Sequence, residues 1–372
     1  MKKPLFLVSL IGLCLLGWSR DSQPEALSKA QTAPRAENRA AKSRVWPAHS
    51  DGFASVVTPE QAGTTGGAGG KVVTVESLAD LEKYAAAPEP MVILIKGAIR
   101  KEPFGKEIKI ASHKTLLGLG SDAAIVHGEL SLKGVSNVIV RNLTIRDSWV
   151  AADASAKSRD FDAFQIDDSH HIWIDHCNLT RMEDGLIDFR KASDYLTVSW
   201  SILSHHNKAF GIGWNPQADK LRVAIHHTWI HDTGQRNPSL DNGTGHLYNN
   251  WLQNVSSYGN YSRGRAKVVV ENSVFERVNN PLHCGPEAEM VSRGNIFQNC
   301  TVSDGEKAAL RGAAFDPRNF YAYQLDDAAD VPALLRAHAG PQTDIGTPEM
   351  AARMAQHGAL KPAGLNSRQT GT

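Results

Sequence analysis

Short strand-like runs recur through the middle of the chain at a nearly fixed spacing, and this repeat constrains the fold more than any other feature. Each run has β-branched and aromatic residues, then a polar residue that is often Asn, then an apolar residue. These apolar residues are Leu143, Leu179, Ile202, Trp229, Trp251, Val274 and Ile296. Their successive separations are 36, 23, 27, 22, 23 and 22 residues, a period near 22 with two insertions.

A repeat of this length with one apolar strand cannot bury that strand alone, so the units must stack as the coils of a solenoid. Strand-like runs favour a β-solenoid, and the Leu framework of leucine-rich repeats is missing. The Asn positions suit inward-facing turns whose side-chain amides pair along the stack. The sequence therefore predicts an all-β protein, a right-handed parallel β-helix with a cleft formed by loops on one face.

The two longer intervals predict where the chemistry lies. An insertion at 150–160 lengthens the first interval, and residues 213–216 lie in the 27-residue interval. Loops inserted on one side of a solenoid usually form its binding face.

The chain divides into four predicted segments. Basic residues, an apolar run and then polar residues indicate a secretory signal peptide over 1–30. Segment 31–50 has no sustained apolar period and predicts a flexible lead-in, and the fold is expected to begin near Trp46 or Phe53. The β-helix domain is expected over 51–340, followed by a loosely held tail, 341–372, that contains one short helix.

The signal segment predicts a secreted protein, with periplasmic and lipid-anchored locations left open. After its removal we expect no membrane contact and a monomer. The formal net charge is +1, which argues against nucleic-acid binding, because that binding needs a concentrated excess of Lys and Arg. A polyanionic partner would have to be bound by local charges.

Three cysteines remain beyond the signal segment. Cys284 with Cys300 is the expected disulfide, and Cys177, in an apolar strand, is expected to be a small buried hydrophobe. The alternative, that all three are reduced core residues, stays open.

Four acidic residues form the first candidate site. Asp160 and Asp162 are two residues apart, and Asp184 and Asp188 are four apart across a turn. Stacking of the coils would bring the two pairs together. Clustered carboxylates suit a hard cation, and Ca²⁺ fits better than Mg²⁺ because it tolerates irregular geometry. Scattered surface acids are the alternative.

Three cations form the second candidate site. Arg190, Lys208 and Arg236 each follow or end a strand in neighbouring coils. A row of cations beside a carboxylate-bound metal would bind an acidic polymer such as a polyuronate. An ordinary solvated charged face is the alternative.

The many histidines invite a transition-metal interpretation. Adjacent pairs such as His170 with His171 and His226 with His227 should point to opposite faces of a strand, so such a pair would not chelate one ion. The sequence has no HExxH or CxxC framework. A structural role is expected for most of them.

Several separated segments, in order over roughly residues 52–340, resemble the pectate lyase family of polysaccharide lyases. They include KTLLGLGSDAAI, DDSHHIWIDHCNL, DGLIDFRKASDYLTVSW, RNP, GHLYNN and SRGRAKVVVENSVF. The resemblance implies a calcium-dependent enzyme that cleaves polygalacturonate, also called pectate, by β-elimination.

The resemblance also implies roles for individual residues. Asp162, Asp184 and Asp188 match the primary calcium ligands, and Asp160 would lie near a further calcium that arrives with substrate. Lys208 matches the lysine that binds the substrate carboxylate, and Arg236 matches the catalytic arginine of the RxPxxR motif. Arg190 stands where a substrate-binding lysine is often found.

One position departs from the family pattern. The second arginine of RxPxxR is replaced by Asp241, which reverses a charge near the cleft. Arg263 or Arg265 would compensate for that reversal, and we take Arg263 as a candidate substrate-binding residue. The departure puts substrate affinity in doubt more than the type of reaction.

Three rival functions remain open at this point. Pectin lyase acts on methyl-esterified polymer without calcium, and the acidic set argues against it. A non-catalytic polyuronate-binding protein is a rival from another class, which Asp241 makes plausible. A hydrolase would instead need two carboxylates acting on a water molecule.

Overall fold

The computed structural model describes residues 45–149, 159–214, 220–302 and 310–357. Over these residues parallel strands form one 17-stranded and one 8-stranded sheet, and each strand pairs with its counterpart in the next coil. The chain is a right-handed parallel β-helix, as the repeat predicts.

The strands form three ladders that run along the solenoid. The first contains β1 (Lys71–Val75), β2 (Met91–Arg100), β4 (Lys114–Val126), β6 (Ser136–Arg141), β9 (His170–Asp175), β12 (Asp194–Ser199), β15 (Arg222–His226), β18 (Thr244–Tyr248), β21 (Lys267–Glu271) and β24 (Glu289–Arg293). The second, which continues the long strands β2 and β4, contains β7 (Thr144–Arg146), β10 (Asn178–Thr180), β13 (Ile202–Lys208), β16 (Trp229–Gln235), β19 (Trp251–Val255), β22 (Val274–Val278) and β25 (Ile296–Gln298). The third contains β3 (Glu107–Lys109), β5 (Glu129–Lys133), β8 (Phe164–Asp167), β11 (Ile187–Arg190), β14 (Phe210–Gly213), β17 (Ser239–Asp241), β20 (Asn260–Arg263) and β23 (Leu282–Cys284).

Three short helices pack against the strands: the first contacts β2 and β3, and the other two lie on the outer apolar face of the solenoid. They are α1 (Leu78–Ala85), α2 (Val331–His338) and α3 (Pro348–Gln356), with 3₁₀ turns at Gly52–Ser55, Pro317–Asn319 and Ala328–Asp330. Ser77 caps α1 by accepting a hydrogen bond from the Asp80 backbone N–H. Within the described ranges, every helix is too short or too polar to cross a bilayer.

The interior is a stack of aliphatic side chains in register from coil to coil. The column in the first ladder consists of Ile93, Leu116, Val140, Ile174, Val198, Ile225, Leu247 and Val270, all buried. Because each coil covers the apolar residue of the next, no single coil could be stable alone.

The apolar residues of the sequence repeat stack in register from Ile202 through Trp229 to Ile296. They face the C-terminal segment rather than the interior, and the Arg336 guanidinium lies 4.5 Å from the Trp251 ring. Leu179 is one residue out of this column, because Ile202 pairs with Asn178. Leu143 is also outside this column, because the residue that pairs with Asn178 is Thr144.

A row of polar residues, most of them buried, lies at the turn between the first and second strand ladders. The Thr228 N–H donates to Asn250 Oδ1 at 3.0 Å, and the Ser273 N–H donates to Asn295 Oδ1 at 2.8 Å. Cys177 N–H donates to Ser201 Oγ in the same way. The side-chain amides therefore bond along the stack to the backbone of the preceding coil rather than to one another, and serine shares these positions.

Adjacent histidines do not alternate between faces, contrary to expectation. The Nδ1 atoms of His170 and His171 lie 2.8 Å apart, and those of His226 and His227 lie 3.0 Å apart. The second residue of each pair has a left-handed φ, 56° for His171 and 49° for His227. This conformation interrupts the strand alternation and turns both rings to the same side.

The two terminal segments cover the outer face of the first ladder. Trp46 is buried, with its ring 4.3 Å from that of His176, and its Nε1–H donates to Asp344. Helix α3 buries Met350 and Met354 against the same apolar face.

The boundaries therefore differ from the predicted segments. Residues 46–50 and 341–357 belong to the folded body, because the outward side chains of the first ladder are apolar and need cover. The predicted signal peptide, most of the lead-in and residues 358–372 lie outside the described residues, as does most of the insertion at 150–160.

The predicted disulfide between Cys284 and Cys300 is wrong, and both thiols are free, as is Cys177. Cys284 ends β23 in the third ladder, whereas Cys300 follows β25 in the second. Each thiol instead donates to a backbone carbonyl, Cys284 to Ala288 and Cys300 to Phe275. Burial raises the pKa of the Cys177 thiol to about 12, as expected of a buried hydrophobe.

A buried polar network holds the segment after residue 315 against the solenoid. His246 contacts the Tyr321 hydroxyl at 2.7 Å and Glu271 at 3.0 Å, and Tyr323 also donates to Glu271. Burial lowers the pKa of His246 to about 4, although Glu271 acts in the opposite direction. Burial would raise the pKa of Glu271, but hydrogen bonds from His246 and Tyr323 lower it to about 2.

We expect this network to weaken in acid. Both pKa values are lowered by folding, so the unfolded chain binds the protons first and stability falls as the pH drops. For His246 the loss falls between its ordinary pKa of 6.5 and about 4. Over that range the free energy of unfolding of a His246→Gln variant should fall by about 2 kcal/mol less than that of wild type. Urea titrations at several pH values measure both decreases. Equal losses in both proteins would contradict this account.

Candidate active site

The third ladder and the turns before it bring the predicted site residues to one face. Asp160 and Asp162 precede β8, and Asp184 precedes β11, which contains Asp188. Lys208 ends β13, and Arg236 follows β16. Because coils stack in register, side chains at matching places in successive coils become neighbours.

The four predicted acidic residues form one cluster. One carboxylate oxygen from each of Asp160, Asp162, Asp184 and Asp188 lies within 4.8 Å of the others. Asp162 and Asp188 are buried, Asp184 is half-buried and Asp160 is exposed. The cluster therefore extends from the protein interior to the cleft surface.

Asp162 is the most unusual member of the cluster. Its side chain is fully buried, and within the described part of the chain neither carboxylate oxygen has a hydrogen-bond partner. Its backbone N–H donates to Glu129 Oε2 at 3.2 Å, so a second buried carboxyl lies beside it. An unpartnered buried carboxylate is costly, and a bound cation would remove that cost.

Burial and mutual repulsion govern the protonation of the cluster. The pKa of Asp162 is raised well above its usual range by burial and by the neighbouring Asp188. Burial raises the pKa of Asp188 to about 6, although Arg190 opposes the shift. Burial also raises the pKa of Glu129, to about 8. These carboxyl groups need positive charge nearby to ionise together.

Two glycines leave room for the carboxylates. A Cβ at Gly211 would lie 2.4 Å from Asp188 Oδ1, and a Cβ at Gly185 would lie 2.8 Å from Asp162 Oδ1. Any larger residue there would displace an oxygen of the cluster.

Arg190 and Lys208 border the acidic cluster. The Arg190 guanidinium contacts Asp167 through two hydrogen bonds, of 2.9 and 3.3 Å, and Asp188 Oδ2 at 3.3 Å. Lys208 Nζ pairs with Asp184. Both predicted cations therefore lie at the cluster, on its side toward the cleft.

Arg236 lies in the same cleft. A cavity of about 540 Å³ is lined by Asp160, Asp184, Asp188, Arg190, Lys208, Trp214 and Arg236. The Arg236 guanidinium carbon lies 4.2 Å from the centre of the Trp214 ring, a cation–π contact. Trp214 is 43% exposed, so the pair faces solvent within the cleft.

Arg263 is placed differently from the other predicted residues. It pairs with Asp241 in the strand register, and its Nε lies 3.3 Å from Asp241 Oδ1. It is one coil beyond Arg236 and is not among the residues that line the cavity. Arg263 thus offsets the charge that Asp241 introduces, as the sequence hypothesis suggested.

Three contributors were not identified from the sequence. Glu129 and Asp167 each lie in a strand of the third ladder and carry no motif of their own in the sequence. Trp214 lies in residues 213–216, which the 27-residue interval predicts as part of the binding face. Nothing in the sequence indicates its contact with Arg236. The arrangement can hold a hard cation, bind carboxylates and present a guanidinium to a bound chain.

Comparisons with known proteins agree on one family. A family profile described as pectate lyase matches residues 39–343. A pectate trisaccharide-lyase of Thermotoga maritima is 35% identical over 322 residues, covering 78% of this chain and 87% of that protein. Pectate lyase A of Emericella nidulans is 33% identical over 301 residues, covering 78% and 85%.

Solved structures show the same fold. A pectate lyase from Bacillus sp. N165 in complex with trigalacturonate superposes with a TM-score of 0.65 at 23% identity, covering 78% of this chain and 98% of that one. A pectate lyase from Paenibacillus sp. 0602 gives a TM-score of 0.68 at 20% identity, covering 83% and 98%.

Proposed function

Because this chain belongs to the pectate lyase family, a family of polysaccharide lyases, we propose that it is a secreted, calcium-dependent, monomeric enzyme acting on polygalacturonate. It cleaves (1,4)-α-D-galacturonan by β-elimination and releases 4,5-unsaturated oligogalacturonates. The observation that carries the proposal is the shared cleft of Arg236, Lys208 and the carboxylate cluster.

The donor set supports calcium as the metal. Asp162, Asp184 and Asp188 would hold the ion, and Asp160 would contribute to a further ion that arrives with substrate. All four supply carboxylate oxygens, which suit a hard cation, and the unpartnered oxygens of Asp162 support a charged ligand there. When bound, calcium would supply positive charge to the uronate carboxylate and so acidify the C5 proton.

The side chains of the cleft carry out the remaining chemistry in this proposal. Lys208 and Arg190 bind uronate carboxylates and stabilise the negative charge that develops in the transition state. Arg236 acts as the base in its neutral guanidine form and takes the C5 proton, becoming guanidinium. The C4–O bond breaks as the C4–C5 double bond forms, and the leaving oxygen takes a proton from solvent.

A guanidine base suits alkaline conditions. Free arginine keeps its proton at neutral pH, so a reaction that uses the neutral form is favoured as the pH rises. We expect activity to peak well above neutral pH. A maximum near pH 5 with calcium present would contradict Arg236 as the base.

One assay tests the proposed function. Polygalacturonate and highly methyl-esterified pectin are digested with and without a calcium chelator, while the ultraviolet absorbance of the unsaturated product is followed. We expect product from polygalacturonate alone and its loss with chelator. Product from esterified pectin in chelator would indicate pectin lyase, and binding without product would indicate a polyuronate-binding protein.

Trp214 is expected to position the catalytic arginine. Its ring contacts the Arg236 guanidinium on one side, and such contacts contribute about 0.5–2 kcal/mol. A Trp214→Leu variant should therefore show a kcat lower by about 2- to 30-fold, with most of the activity kept by Trp214→Phe. Steady-state kinetics on polygalacturonate measure both, and an unchanged kcat in the leucine variant would contradict this role.

A further inference from the structure

A second group of potential metal ligands lies outside the cleft. His205 belongs to β13, and His231 and Asp232 belong to β16 in the next coil. One ligand atom from each of these residues lies within 4.8 Å of the others. We propose that this group, the His-Asp cluster, binds a divalent transition metal, Zn²⁺ foremost, independently of the lyase site.

The backbone brings the three side chains to the same outer surface. His205 and Asp232 have left-handed φ values of 50° and 53°, so both strands depart from the regular strand conformation at the same level. Ser204 pairs with His231 and His206 pairs with Thr233, which places His205 opposite Asp232. The exposed side-chain fractions are 57% for His205, 42% for Asp232 and 15% for His231, so an ion can reach them.

The distances are close to those that one ion requires. His231 Nδ1 lies 2.8 Å from Asp232 Oδ2, and His205 Nε2 lies 3.8 Å from the same oxygen. Ligand atoms at zinc distances around one tetrahedral ion lie about 3–3.5 Å apart. Small side-chain rotations would bring the ligand atoms to these separations.

Neighbouring side chains orient the carboxylate. Asn254 Nδ2 donates to Asp232 Oδ1 at 2.8 Å, which leaves Oδ2 directed at the histidines. Arg277 Nε in turn donates to Asn254 Oδ1 at 2.6 Å, and the Arg277 charge is also paired with Glu276. Support of this kind is typical of metal sites, because it fixes the ligand before the ion binds.

The ligand types separate this cluster from the acidic one. Imidazole nitrogen favours Zn²⁺, Cu²⁺ or Ni²⁺, whereas the all-oxygen group at Asp162 favours Ca²⁺. Three protein ligands would leave a fourth position for water. A bound ion would tie β13 to β16, the two strands that lead to Lys208 and Arg236.

Calorimetric titration of the full chain with ZnCl₂, in excess Ca²⁺ to fill the acidic site, tests the proposal. We expect one Zn²⁺ per chain with a Kd on the order of micromolar or tighter. His205→Gln and His231→Gln should each weaken binding by about tenfold or more. His127→Gln is the matched control, because Arg100 lies 2.9 Å from the His127 ring and makes it a poor ligand.

Co²⁺ absorption spectra and thermal melts complete the test. Cobalt bands typical of nitrogen ligation should appear in wild type and in the His127 variant. At the same cobalt concentration they should be much weaker in the other two variants, whose melting temperatures without metal should stay near wild type. Zinc affinity unchanged in both cluster variants, or no binding tighter than millimolar in wild type, would overturn the proposal. Lyase activity is not a readout, so the result is independent of the proposed function.

Discussion

Replacing Arg236 with lysine should lower kcat on polygalacturonate by about 10²- to 10⁴-fold, the range typical of a lost general base. A lysine is shorter and loses the planar contact that holds the guanidinium over Trp214. Polymer binding should remain largely intact, because Lys208 and Arg190 would still bind uronate carboxylates. Initial rates and an equilibrium binding measurement on the same protein separate the two effects.

Arg181→Lys is the matched control for this variant. Arg181 is exposed, pairs with Asp147 and lies outside the cleft, so its replacement should leave kcat within about twofold of wild type. An Arg236→Lys enzyme that keeps more than a tenth of wild-type kcat would contradict proton abstraction by Arg236.

Asp162→Asn should have two opposite effects. The amide cannot balance a cation as the carboxylate does, so calcium affinity and activity should fall by at least about tenfold. In chelator the variant should be more stable than wild type, because it no longer buries a carboxyl group whose pKa is strongly raised by burial. Melting curves in chelator and in calcium measure both effects.

Calcium at 100 times its Kd stabilises a one-site protein by about 2.7 kcal/mol. That stabilisation should be visible in wild type and in Asp168→Asn, which removes an exposed carboxylate outside the cluster. It should be much smaller in Asp162→Asn. An equal calcium-induced shift in the Asp162 variant would exclude this carboxylate as a calcium ligand.

The fold could be predicted because every coil repeats the same requirement. Each must bury one apolar residue on its neighbour, so the 22-residue spacing persists in the sequence even where the register is misread by one residue, as at Leu179. The acidic cluster could be predicted for the same reason, since stacked coils bring Asp162 and Asp188 together.

Features that depend on backbone conformation could not be predicted. The histidine pairs were misjudged because left-handed residues such as His171 interrupt the strand alternation. The disulfide was misjudged because residue spacing does not reveal that Cys284 and Cys300 belong to different ladders. The cover over the first ladder was missed for a similar reason, since helix α3 lies far in sequence from the face it protects.

Digestion of polygalacturonate in heavy-oxygen water, followed by mass spectrometry of the products, tests the central claim most directly. If the C5 proton is removed and the C4–O bond breaks by elimination, the fragment with the new non-reducing end will be lighter by one water than a saturated oligogalacturonate of the same length. The new reducing end will keep the glycosidic oxygen and take no heavy oxygen in the cleavage step. Products that gain a heavy oxygen from solvent as the bond is cut would show hydrolysis and contradict the account.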